Sequence, residues 1–224
     1  MKKYNLEIAC FNPESAVIAQ KNGANRVELC DEMIEGGTTP SPEAVIATRE
    51  ELTIDMNVMI RPRGGNFVYS DAEFEQMKQE IKEYKKLKVD GFVFGILNKD
   101  NSINVERNKE LVFLARPLPC TFHRAFDVVT DVYSSLETVI DCGFKTILTS
   151  GQEPNVVEGI SVLEQLAKKA GNRIIIMPGG GVRSSNVAML KEKMHTTFYH
   201  SSAITDGTET ADGKEVKALV ANLK

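Results

Sequence analysis

Short apolar runs that end in polar or charged residues recur eight times along this chain, each followed by a stretch with helical periodicity. The runs occupy 6–10, 26–30, 55–61, 91–95, 120–124, 146–150, 173–177 and 196–202. Their ends fall about 20 to 34 residues apart, one strand-plus-helix unit each. The helices carry their own start and stop signals. Asn12-Pro13 and Ser41-Pro42 pair a capping side chain with a proline at the first helical position. Ser70 and Glu73 form a capping-box pattern, and Gly23, Gly143 and Gly171 follow helical segments as stops. Strands joined by crossover helices are parallel, and eight such units close most naturally into a (β/α)₈ TIM barrel. An open doubly wound sheet is the alternative, but it needs a glycine-rich first turn, and Cys10-Phe11-Asn12-Pro13 has none. No low-complexity linker or break in composition interrupts the pattern, so residues 1–224 read as a single domain.

Bulk composition narrows the function classes. A net charge of −4, from 27 basic and 31 acidic residues, argues against a nucleic-acid partner. No apolar run reaches membrane-spanning length. Met1-Lys2-Lys3-Tyr4 runs straight into a strand without an apolar leader core, so no signal peptide and a cytoplasmic location are expected. Cys10, Cys30, Cys120 and Cys142 are then expected as reduced thiols.

In parallel barrels ligands sit at the carboxyl ends of the strands, and those ends are chemically rich here. Strand three delivers Arg61 and Arg63 through Ile60-Arg61-Pro62-Arg63-Gly64-Gly65. Strand five ends in His123-Arg124 with Asp127 close behind, strand six in Ser150, and strand eight in His200 and Ser202. Alternation turns Glu7 on strand one and Glu28 on strand two into the barrel, together with Cys30, Met59, Arg61 and Arg63. Buried charges of this kind either pair with one another or hold a ligand. Gly179, Gly180 and Gly181 after strand seven offer free backbone N–H groups to an anion, with Ser202 completing the pocket. Arg61, Arg63 and Arg124 are candidate clamps for a carboxylate or phosphate. Glu7, Glu28, Arg61, His123 and Asp127 are the candidate catalytic set. Lys99 and Lys145, the lysines nearest strand ends, are not at interior positions, which disfavours Schiff-base chemistry.

Cys10 and Cys30 end adjacent strands, and two thiolates on neighbouring strands could hold a soft ion such as Cu(I). Alternation turns Cys30 inward and Cys10 outward, so a shared site needs a bulge or twist near Ala9. A buried free cysteine packing as a small hydrophobe is the commoner case, and Cys120 and Cys142 fit it.

Several long strings in order carry a family resemblance. They are Leu-Glu-Ile-Ala-Cys, Asn-Gly-Ala-Asn-Arg-Val-Glu-Leu-Cys, Gly-Gly-Thr-Thr-Pro-Ser, Met-Ile-Arg-Pro-Arg-Gly-Gly, Asp-Gly-Phe-Val-Phe-Gly, Thr-Phe-His-Arg-Ala-Phe-Asp, Ile-Leu-Thr-Ser-Gly and Met-Pro-Gly-Gly-Gly-Val. Together they resemble the CutC family of copper homeostasis proteins, from about Leu6 to Ala203. The resemblance implies a cytoplasmic TIM barrel, a homo-oligomer (dimer or tetramer), and a role in copper homeostasis, with Cu(I) proposed for the positions of Cys10 and Cys30. Asn66 stands where the family commonly has an aspartate. Two functional readings follow. One is a copper-handling protein. The other is a lyase- or isomerase-type enzyme acting on a small anionic or phosphorylated molecule at the strand-end rim.

Overall fold

The computed structural model describes residues 4–224; Met1 to Lys3, on which the expectation of a leaderless N-terminus partly rests, lie outside them. Eight strands alternate with eight helices: β1 (Asn5–Cys10), α1 (Pro13–Lys21), β2 (Arg26–Leu29), α2 (Pro42–Glu51), β3 (Asp55–Met59), α3 (Asp71–Lys86), β4 (Gly91–Phe94), α4 (Val105–Ala115), β5 (Cys120–Phe122), α5 (Val132–Cys142), β6 (Thr146–Thr149), α6 (Ile160–Ala170), β7 (Ile175–Pro178), α7 (Val187–Lys193), β8 (Phe198–Ser201) and α8 (Gly213–Leu223). Neighbouring strands pair in parallel in the order β7-β6-β5-β4-β3-β2-β1-β8. β7 and β8 lie side by side without a paired ladder, so the sheet is a nearly closed (β/α)₈ barrel. None of the described helices is long and apolar enough to cross a membrane.

The local signals act as their chemistry dictates. Asn12 Oδ1 accepts from the Ser15 amide and Ser41 Oγ from the Ala44 amide, each beside a proline at the helix start. Ser70 and Glu73 close both bonds of a capping box on α3. Each cap satisfies helix-end N–H groups that would otherwise stay unpaired.

Strand register sorts the side chains into two layers. Ile8 stands opposite Val27, and Cys10 opposite Leu29, on the outer face, where they pack against the helices. Ala9 stands opposite Glu28, Glu28 opposite Asn57, and Glu7 opposite both Arg26 and His200, on the inner face. Barrel interiors are usually filled by branched aliphatic side chains. This one is charged along β1, β2 and β8.

Several boundaries differ from the sequence reading. The helices expected to begin at 156 and 184 begin at Ile160 and Val187. The residues before Ile160 form a rim loop instead: Asn155 Oδ1 accepts from the Val157 and Glu158 amides, and the Val156 amide donates to Gly180 O. β3 stops at Met59 because the Arg61 amide leaves the ladder for Thr39 Oγ1, at 2.8 Å. Two 3-10 turns, Met33–Glu35 and Arg124–Val128, also lie on the rim and had no sequence signal.

Candidate functional site

A cavity of about 430 Å³ opens at the carboxyl ends of the strands. Glu28, Arg61, His123, Arg124, Asp127, Gly180, Gly181, His200 and Ser202 line it, as does Cys30. Glu7 lies behind that surface, and Arg63, Ser150, Gly179 and Cys10 do not reach it.

At the base of the cavity runs a chain of charges. Arg26 Nε donates to Glu7 Oε2 at 2.5 Å, and His200 Nδ1 donates to Glu7 Oε1 at 2.8 Å. His200 Nε2 then faces Glu28 Oε2 at 3.7 Å, too long for a hydrogen bond but close for a charge. The Cys30 thiol lies 3.6 Å from the same Oε2. Burial would raise the Glu7 carboxyl, but the Arg26 charge and the His200 bond outweigh it and hold Glu7 down at about 2. Glu28 has no arginine of its own. Burial pushes it up to about 7, with the Glu7 charge adding and His200 opposing. For His200 burial works against the charge, yet Glu28 and Glu7 together keep its affinity for a proton above that of a free imidazole. Two carboxyls on adjacent strands thus stand far apart in acidity because only one has a guanidinium.

His123 follows β5 and caps the Arg124–Val128 turn, lining the same cavity. Its Nδ1 accepts from the Ala125 amide at 3.3 Å, which assigns the ring proton to Nε2. Phe67 stacks beside the ring, with centroids 4.9 Å apart. A side chain at Gly95 would place Cβ 2.9 Å from Nδ1, so glycine is needed there to seat the ring. Burial, then the nearby Arg61 charge, push His123 down to about 3, and it stays neutral at physiological pH. Among the described residues three buried atoms of this site have no hydrogen-bond partner: Glu28 Oε1, His123 Nε2 and Arg61 Nε.

The arginines divide differently from the expectation. Arg61 is buried, but Nη1 donates to Glu35 O and Gly37 O at 2.6 and 2.7 Å, and Nη2 to Gly65 O at 3.0 Å. It ties two rim loops together and offers little beyond Nε to a ligand. Arg63, expected to point inward, turns outward to Glu73 on α3, at 2.5 Å, and to the carbonyl of Val68. Alternation no longer governs its direction because Pro62 and the glycines that follow have left the strand. Arg124 Nε pairs with Asp127 at 2.7 Å and its Nη2 donates to Ser150 Oγ at 3.0 Å. Asp127 also takes the Thr149 hydroxyl and the Ser150 amide, so its oxygens are filled and it braces the rim.

The loop after β7 lines the same cavity. Gly180 and Gly181 have φ of +104° and +80°, and a Cβ at Gly180 would come within 3.1 Å of the Arg124 guanidinium. Neither amide donates to an acceptor among the described residues. Gly179 differs, for its amide continues the sheet to Thr149 O. Arg183, absent from the sequence reading, lines the cavity here and donates to Ser201 Oγ at 3.2 Å and to Ile204 O at 3.0 Å. Its place just after the triple glycine was a usable signal. Arg26 was also overlooked, although it shares strand parity with Glu28.

Cys10 and Cys30 occupy opposite faces, as alternation required. Cys10 is buried in the outer layer with its thiol turned to Ile8 O, whereas Cys30 packs inside with Met59 and Val93. Burial, then the Glu28 charge, push both thiols well up. Among the described residues the one group of donors close enough to share a metal ion is Glu7, Glu28 and His200. There Arg26 already neutralises Glu7, while Glu28 Oε1 stays without a partner.

Comparison with known proteins places this architecture. The model of the CutC family matches residues 4–205. The copper homeostasis protein cutC homolog of Mus musculus is 46% identical over 198 residues, covering 88% of this chain and 73% of the mouse protein. The family protein CutC of Parabacteroides distasonis is 47% identical over 200 residues, covering 88% and 82%. The crystal structure of CutC from Streptococcus agalactiae superposes with a TM-score of 0.85 at 35% identity, covering 89% of this chain and 98% of that one. Phosphoribosylanthranilate isomerase from Thermotoga maritima, at 15% identity and a TM-score of 0.66, shares the fold alone. On the match across nearly its whole barrel, this chain belongs to the CutC family of copper homeostasis proteins.

Proposed function

We propose that this protein is an enzyme that moves protons on a small anionic molecule held at the strand-end rim, in the manner of a lyase or isomerase. The observation that carries this reading is Glu28: a buried carboxyl held near 7, with one oxygen unpartnered, lining a cavity of metabolite size. A carboxyl poised at that acidity both takes and returns a proton at neutral pH. The amides of Gly180 and Gly181, with Arg183 and Ser202, form the anion end of the same cavity. Thermal-shift and calorimetric titration with inorganic phosphate and small phosphorylated metabolites tests it. Binding should occur, and Gly181→Ala and Arg183→Met should weaken it. If no anion binds the wild type, or if both variants bind as the wild type does, the reading fails.

The family's association with copper supports a second reading, Cu(I) held by Cys10 and Cys30. Two-coordinate thiolate binding requires both sulfurs to face one point and to lose their protons. Opposite faces of the sheet and a neighbouring carboxylate at Glu28 disfavour both, so the residues do not fit that ion as they stand. Four free, buried cysteines support a reducing, cytoplasmic setting. A homo-dimer or tetramer is carried by the family resemblance, and sedimentation velocity checks it.

A further inference from the structure

Two buried atoms of the cavity lining, one from β2 and one from just after β5, lack partners, and they are of opposite kind. His123 Nε2 is a donor, because Nδ1 is already an acceptor for the Ala125 amide. Glu28 Oε1 is an acceptor, because its carboxylate partner oxygen is the one that faces the Cys30 thiol and His200. A buried polar group left unpaired destabilises the native state until a ligand pairs it. Phe67 and the space at Gly95 seat the His123 ring, and the register of β2 sets Glu28 on the inner face. Such a pair is matched by a molecule that presents a hydrogen-bond-accepting oxygen to one side and an acidic hydrogen to the other. A carbonyl with a C–H on the adjacent carbon does this. The free amides of Gly180 and Gly181, beside Ser202, form a concave donor set suited to a tetrahedral anion such as phosphate.

Resting on the enzyme reading above, we infer that the substrate is a phosphorylated carbonyl compound, that Glu28 Oε1 takes the proton from the carbon next to its carbonyl, and that His123 Nε2–H holds the carbonyl oxygen. The C–H electron pair becomes a C=C bond while the carbonyl π pair moves onto oxygen, giving an enolate hydrogen-bonded to His123. The proton exchanges with solvent while Glu28 holds it. Glu28 then protonates the former carbonyl carbon as a hydroxyl on the deprotonated carbon passes its proton to the enolate oxygen and becomes the new carbonyl, an isomerisation. The step needs no oxidant, reductant or leaving group. A neutral imidazole is the suitable donor, since an imidazolium would surrender its proton to the enolate.

The test is solvent exchange. Dihydroxyacetone phosphate, D-ribulose 5-phosphate and D-fructose 6-phosphate are incubated with the protein in D₂O, and loss of the C–H signal beside the carbonyl is followed by ¹H NMR. At least one should exchange well above the protein-free rate. Glu28→Gln should abolish the exchange and His123→Gln should slow it about 10²- to 10³-fold, as loss of one oxyanion donor does. Both variants should still bind inorganic phosphate. If none of the three exchanges while the wild type binds phosphate, this inference is overturned and the anion site stands. If phosphate does not bind at all, the enzyme reading falls with it. Exchange that persists in His123→Gln removes the role of His123. Long-range ¹H–¹⁵N correlation on the wild type gives an independent check. His123 should be neutral and Nε2-protonated at pH 6, and an imidazolium or the Nδ1-protonated form would overturn the assignment.

Discussion

Replacing Glu28 with glutamine should remove the proton carrier and at the same time make the protein more stable at alkaline pH. The folded state raises this carboxyl from its ordinary value of 4.5 to about 7, chiefly by burial. The native protein therefore holds the proton more tightly than the unfolded chain does. Stability is full below about 4.5 and declines as pH rises through that interval to about 7. With a tenfold change in proton affinity equal to about 1.4 kcal/mol, the ionised carboxylate costs the native state about 3 kcal/mol at pH 8. Glutamine keeps the shape, offers a polar group to the Cys30 thiol and His200, and carries no charge. Equilibrium urea unfolding of both proteins from pH 4.5 to 8 should show nearly equal stabilities at the acid end. The variant should gain steadily to about 3 kcal/mol at pH 8, or about 6 to 12 °C in Tm for a chain of this size. A variant less stable than wild type by a constant amount at every pH would refute the account, because Glu28 would then be a structural ion-pair partner.

The opposite sign is expected at Glu7, whose carboxyl sits at about 2: its contribution is present above about 4.5 and is lost as pH falls toward 2. Arg26→Met leaves that carboxylate buried without its cation and should cost about 3–5 kcal/mol in chemical denaturation, much of it recovered by adding Glu7→Leu. Gly180→Ala forces a side chain into a φ of +104° against the Arg124 guanidinium, and calorimetry should show inorganic phosphate binding weakened about tenfold. Cu(I) titration in competition with a chelator should give the same affinity for the wild type and for Cys10→Ala plus Cys30→Ala; a loss of tight binding in the double variant would restore the sulfur reading.

Much of this molecule was legible in one dimension. The recurrence of apolar runs and helical stretches specified eight units, and parity within each strand sent Glu7, Glu28, Cys30 and His123 inward and Cys10 outward. Those properties are local: a strand's alternation and a helix's caps depend on residues next to each other in the chain. Parity failed at Arg63, where the chain had already left the strand, and the lengths of the loops before α6 and α7 were overestimated as helix because their bonding partners are distant in sequence. What only the tertiary structure decided is the assignment of roles among residues that share one face. Arg61 looked like an anion clamp, but carbonyls from two separate loops consume its donors. Glu7 and Glu28 look alike in the sequence, yet one is an ion-paired carboxylate and the other a buried carboxyl raised to about 7 with an oxygen left unpartnered, because strand register puts Arg26 beside the first. Acidity and unfilled hydrogen bonds are set by what lies a few ångströms away in space, and that is fixed only when the barrel closes.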